Sequence, residues 1–175
     1  MSRKIFVLGG AKSGKSRFAQ NLAESFQGKR TYIATALPID DEMKDKIEKH
    51  KNNRNPELWH NLIEEPYELP EILMKLNNNT DVVLVDCLTV WLSNIFMKFE
   101  DDYDKILEKI NLLENAIMNL KYNIVLVSNE VGMGIVPANK LARIFREFSG
   151  IMNQKIASIS DEFYLFFCGY SIRLK

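Results

Sequence analysis

The first residues with chemistry in their spacing lie near the start of the chain. Residues 7–19 read VLGGAKSGKSRFA, and Gly9, Gly14, Lys15 and Ser16 fit the pattern G-x-x-x-x-G-K-[ST]. Glycines let backbone N–H groups approach phosphate oxygens closely. Lys15 offers charge to the terminal phosphates, and the Ser16 hydroxyl is a ligand for Mg²⁺. The helix expected after the loop adds the positive end of its dipole. The pattern points to a bound polyphosphate cradled by Gly9, Gly10, Ala11, Lys12, Ser13, Gly14, Lys15 and Ser16. It leaves open whether the chain is a kinase, a nucleotidyltransferase or a nucleotide-dependent switch.

Other side chains can share such a site. Asp86 ends the apolar run DVVLV, where an acid suits a second Mg²⁺-linked position. The alternative is a hydrogen-bonded acid at a strand end or a helix cap. His50 stands in KIEKHKNNR, among Lys46, Lys49, Lys51 and Arg54. Those cations suit an anionic ligand and favour the neutral imidazole, which is a nucleophile towards phosphorus. The alternative is an inert histidine on a solvated face, and His60 is read that way. Asn129 and Glu130 open a stretch with Gly132, Gly134 and Pro137 that leads to a helix bearing Arg143 and Arg146. They either face the ligand or belong to a structural turn. Cys87 and Cys168 sit in apolar runs and read as buried thiols, without metal-ligand spacing.

A parallel α/β architecture is needed to bring these residues together. The runs KIFVLG, RTYIATA, DVVLVDC, NIVLVSN and EFYLFFCG read as strands, several without in/out alternation, as strands buried on both faces do. SIRLK reads as an edge strand. Amphipathic helices are expected over residues 16–27, 103–121 and 139–158. DDEMKDKIEKHKNN is a polar helix, anchored only by Met43 and Ile47. Residues 52–71 are polar and marked by prolines, and read as a long connection with turns. The aromatic-rich WLSNIFMKF is either core or the wall of a ligand pocket. In open α/β sheets the ligand lies beyond the carboxyl ends of the strands, where the phosphate loop, Asp86 and Asn129 would all fall.

Composition bounds the rest. The chain has 175 residues, 23 Lys and Arg against 23 Asp and Glu, and two cysteines. That length suits one domain, residues 1–175. A balanced charge lends no global support to a nucleic-acid partner. The start of the chain lacks a long apolar segment, so neither a signal peptide nor a membrane span is expected, and the expected location is the cytoplasm. No N-K-x-D element for reading guanine is present, which counts against the common switch GTPases. A different small-molecule kinase and a regulatory switch remain the competing readings.

Taken together, GGAKSGKSRFA, YIATA, DDEMKDKIEKHKNNR, Trp59, EEP at 64–66, LVDCLTVWLSN and VSNEVGMGIVPANKLARIFREFSGIMNQKIA resemble one family. It is the bifunctional adenosylcobinamide kinase and adenosylcobinamide-phosphate guanylyltransferase family of cobalamin biosynthesis. The resemblance runs from near the first residue to about Ser160. It implies a P-loop, RecA-like fold, trimeric assembly and two reactions. In one, ATP or GTP phosphorylates the aminopropanol hydroxyl of adenosylcobinamide. In the other, GTP passes GMP to the new phosphate through a GMP-histidine intermediate. The matching histidine is His50. The resemblance also assigns nucleotide contacts to residues 9–16, to Ala34, Thr35 and Ala36, to Lys51, Asn52, Asn53 and Arg54, and to the acids Glu64 and Asp86. Lys12 and Lys46 stand where arginine is common in the family.

Overall fold

A computed structural model describes residues 2–38, 56–100 and 102–175. The expected polar helix, with His50, Lys46 and Lys51 to Arg54, lies outside the described residues.

Among the described residues seven strands form one sheet: β1 (Lys4–Gly9), β2 (Arg30–Ala34), β3 (Asn61–Glu64), β4 (Val82–Asp86), β5 (Asn123–Asn129), β6 (Glu162–Phe167) and β7 (Tyr170–Arg173). Their order is β3-β2-β4-β5-β1-β6-β7. All pairings are parallel except β6 with β7. Flanking them are α1 (Lys15–Glu24), α2 (Leu69–Lys75), α3 (Leu88–Phe99), α4 (Tyr103–Met118) and α5 (Lys140–Ile159).

The central strands are buried on both faces, which explains their unbroken apolar runs. On one face, Phe6, Val83, Val85, Ile124 and Leu126 pack with side chains of α2 to α5. On the other, Ile5, Val7, Leu84, Val125 and Val127 pack with Ala19 and Ala23 of α1. WLSNIFMKF belongs to α3, and its Trp91, Leu92, Ile95 and Phe96 are buried, so this stretch is core. Trp91 is also held by its indole N–H, which donates to the Tyr67 carbonyl at 2.9 Å.

Two expectations are corrected. Of the stretch read as a long connection, residues 56–71 carry a 3-10 turn at Pro56–Leu58, strand β3 and the first turn of α2. β3 escaped the sequence reading because it is a four-residue edge strand with largely exposed side chains, which need no apolar run. Cys168 is exposed, not buried. It occupies the two-residue turn between β6 and β7, with φ 48° followed by Gly169 at φ 89°. Such a hairpin turn sits at the surface whatever the strands on either side bury.

Candidate nucleotide and acceptor site

β1 ends at Gly9 and α1 begins at Lys15, so the glycine-rich residues between them form the loop at the carboxyl edge of the sheet. Gly14 caps α1 in the left-handed region at φ 97°. Gly9 has no room for a side chain. A Cβ there would lie 2.7 Å from Phe166 Cβ and 2.9 Å from Ser13 Oγ. The turn of the β6–β7 hairpin supports the loop from outside, as Gly169 N–H donates to the Ser13 carbonyl at 2.9 Å.

Two features of the loop fit a polyphosphate. Ser13 Oγ is buried without a hydrogen-bond partner, and a buried orphan hydroxyl is costly unless a ligand satisfies it. Lys15 is buried too, with Nζ donating to the Gly10 carbonyl at 3.1 Å. Burial pulls its ammonium below the ordinary lysine value, partly countered by the nearby Asp86 carboxylate. A phosphate anion would supply the missing counter-charge.

Asp86 faces this loop from β4. Its Oδ1 lies 3.5 Å from Ser16 Oγ, and its Oδ2 accepts from the Tyr32 hydroxyl at 3.0 Å. The cap of α3 is Cys87, so Asp86 is not a helix cap. Among the described residues no three His, Cys, Asp or Glu side chains gather as a metal cage. One hydroxyl and one carboxylate beside a phosphate loop are instead the sparse protein ligation that Mg²⁺ accepts when phosphates and water fill its remaining positions. Ser16 and Asp86 therefore fit the ion.

The parallel register brings further expected residues to the same edge. Ala34 stands beside Asp86 on one side and Glu64 on the other. Thr35 has a structural task. Its hydroxyl donates to the Cys87 carbonyl at 2.8 Å and accepts from the Cys87 N–H at 3.0 Å. Its carbonyl accepts from Asn94 at 2.8 Å. Ala36 follows, half-buried. His60 lies away from this edge, with Nδ1 accepting from the Arg30 N–H at 3.2 Å.

Asn129 and Glu130 are also at the edge, since Asn129 pairs in register with Gly9. A closed ring of hydrogen bonds fixes the Asn129 backbone. Its N–H donates to Thr89 Oγ1 at 2.7 Å, Thr89 and Ser128 share a bond at 3.1 Å, Ser128 donates to Asn153 at 2.8 Å, and Asn153 returns to the Asn129 carbonyl at 3.3 Å. No periodicity in the sequence signals this ring, because its members come from β5, α3 and α5. Beyond it, Arg143 donates to the carbonyls of Pro137 and Ala138, and Arg146 donates to that of Gly132. The two arginines thus shape the loop after β5. Its tip exposes the apolar side chains of Met133 and Ile135.

Comparisons with known proteins agree on fold and family. An ATPase of a bacterial type III secretion system superposes with a TM-score of 0.61 at 10% identity, over 98% of this chain and 56% of that one. The RadB recombinase superposes with a TM-score of 0.54 at 14% identity, over 92% of this chain and 72% of that one. At such identities the likeness concerns the fold, that of a P-loop NTPase. Among curated relatives, the bifunctional adenosylcobalamin biosynthesis protein CobU of Escherichia coli K12 is 38% identical, over 98% of this chain and 99% of the relative. CobP of Pseudomonas aeruginosa, described in the same terms, is 37% identical over 97% and 95%. The family model described as "Cobinamide kinase / cobinamide phosphate guanyltransferase" matches residues 5–174, and the chain belongs to that family.

Proposed function

We propose that this protein phosphorylates adenosylcobinamide with ATP or GTP, then transfers GMP from GTP to the adenosylcobinamide phosphate, releasing pyrophosphate and yielding adenosylcobinamide-GDP. The observation that carries the reading is the family match over nearly the whole chain, on a phosphate loop whose Ser16 meets Asp86.

The two reactions draw on the same residues differently. In the kinase step the loop amides and Lys15 hold the phosphates and offset the charge that develops as the terminal phosphoryl group moves. Ser16 and Asp86 would hold Mg²⁺, which, when bound, screens phosphate charge and helps align the leaving group. In the guanylyl step the His50 imidazole attacks the α-phosphorus of GTP and pyrophosphate leaves. The cobinamide phosphate then displaces His50 from GMP. Covalent catalysis divides one transfer between charged partners into two easier ones. Ala34, Ala36, Lys51 to Arg54 and Glu64 contact the nucleotide, and Thr35 holds the backbone between Ala34 and Ala36 against Cys87. A homotrimer working in the cytoplasm completes the reading, and no helix among the described residues is long and apolar enough to cross a membrane.

The test is direct. Purified protein with Mg²⁺, ATP and adenosylcobinamide should form the phosphate ester, and GTP should convert that ester to the GDP derivative. Failure to modify the corrinoid with either nucleotide would reject the reading.

A further inference from the structure

The loop after β5 carries an acid that the reactions above leave without a task. Glu130 is the first residue beyond β5, and its N–H donates to the carbonyl of Gly9, the first phosphate-loop residue, at 3.1 Å. Its backbone is thereby tied to the loop that holds the phosphates. The ring through Thr89, Ser128 and Asn153 fixes the residue before it. One carboxylate oxygen, Oε1, accepts from the Gly132 N–H.

Three other described acids at this edge, Asp86, Glu65 and Glu64, are engaged or distant from the loop. Asp86 faces Ser16 and Tyr32. Glu65 accepts from the N–H groups of Tyr67 and Glu68. Glu64 ends β3, with β2, β4 and β5 between it and β1.

The two reactions differ in one requirement. The kinase acceptor is an alcohol, which must lose a proton as it attacks. The guanylyl acceptor is a phosphate monoester, already ionised near neutrality. Only the first needs a base.

We propose that Glu130 is the general base of the kinase step. The acceptor oxygen forms its bond to the terminal phosphorus. The bond from that phosphorus to the bridging oxygen breaks, its electron pair leaving with the nucleoside diphosphate. The hydroxyl proton passes to the Glu130 carboxylate. This role rests on the bifunctional reading of the chain.

Glu130→Gln tests it, because the amide oxygen can still accept from Gly132 while the basic carboxylate is lost. Phosphorylation of cobinamide by ATP and guanylylation of supplied cobinamide phosphate by GTP are measured separately on the full chain. The expected result is a fall of about 100-fold in kinase kcat, with guanylylation within about threefold of the unaltered protein. Glu130→Asp should recover part of the kinase loss. A Glu130→Gln kinase rate within about threefold of the unaltered protein would overturn the proposal. So would an equal fall in both activities, which would make Glu130 a residue that only shapes its loop. If the unaltered protein binds nucleotide but never phosphorylates cobinamide, the bifunctional reading fails, and the base assignment with it.

Discussion

Ser16 and Asp86 are seventy positions apart in sequence, yet Ser16 Oγ lies 3.5 Å from Asp86 Oδ1 at the carboxyl edge of the sheet. β5 lies between β4, which ends at Asp86, and β1, which leads into the loop before Ser16, and Asp86 is further held by the Tyr32 hydroxyl. A hydroxyl and a carboxylate so placed beside the phosphate loop fit Mg²⁺.

Asp86→Asn should therefore damage both activities while leaving the fold intact. Loss of a charged metal ligand next to transferring phosphates should lower kcat by about 100-fold or more, roughly the scale of losing one transition-state stabiliser. The Mg²⁺ concentration needed for half-maximal rate should rise. Steady-state assays across a Mg²⁺ titration, with thermal unfolding as a control, check this. An unchanged Mg²⁺ dependence would remove Asp86 from the metal site.

Gly9→Ala probes the loop itself. The added methyl would press on Phe166 and Ser13, and overpacking of this kind costs about 1–3 kcal/mol. Displacement of the loop should also weaken nucleotide binding by about tenfold or more, a loss of roughly 1.4 kcal/mol. Titration with a fluorescent GTP analogue measures it. Gly10→Ala is the control, because nothing lies within 4 Å of a Cβ there, and it should perturb the packing far less.

The sequence was informative where one physical rule governs a local stretch. The phosphate loop is legible because its glycines, Lys15 and Ser16 are contiguous and lie between an apolar strand and an amphipathic helix. Asp86 is legible because β4 is an unbroken apolar run that ends in a charge. β3 was not, because an exposed edge strand of four residues leaves no apolar signature. Cys168 misled because its apolar neighbours belong to β6, while the cysteine itself lies in the turn. Thr35 matched a family nucleotide contact, yet its hydroxyl is engaged with the Cys87 backbone. The ring around Asn129 joins three elements, and only the assembled fold reveals it.

The two cysteines should respond differently to alkylation. Burial, reinforced by the neighbouring Asp86 carboxylate, pushes the Cys87 thiol up to about 12. Because the thiolate is the reactive form, Cys87 should stay unmodified in the folded protein from neutral pH to about pH 9. Cys168 is exposed and should react. Mass spectrometry after iodoacetamide should find one adduct on the native protein, at Cys168, and two after denaturation. Native labelling of Cys87 would contradict its burial.

The central claim is that one phosphate loop serves two chemistries, with His50 needed for only one. The most direct measurement incubates the protein with Mg²⁺ and GTP labelled on the α-phosphate, denatures it, and follows the bound label in acid and in alkali. The account predicts label that acid removes and alkali does not, absent from His50→Ala and from Lys15→Ala. His50→Ala should still phosphorylate cobinamide, whereas Lys15→Ala should not. A folded, active protein that acquires no label, or a His50→Ala protein that acquires it in full, would contradict the account.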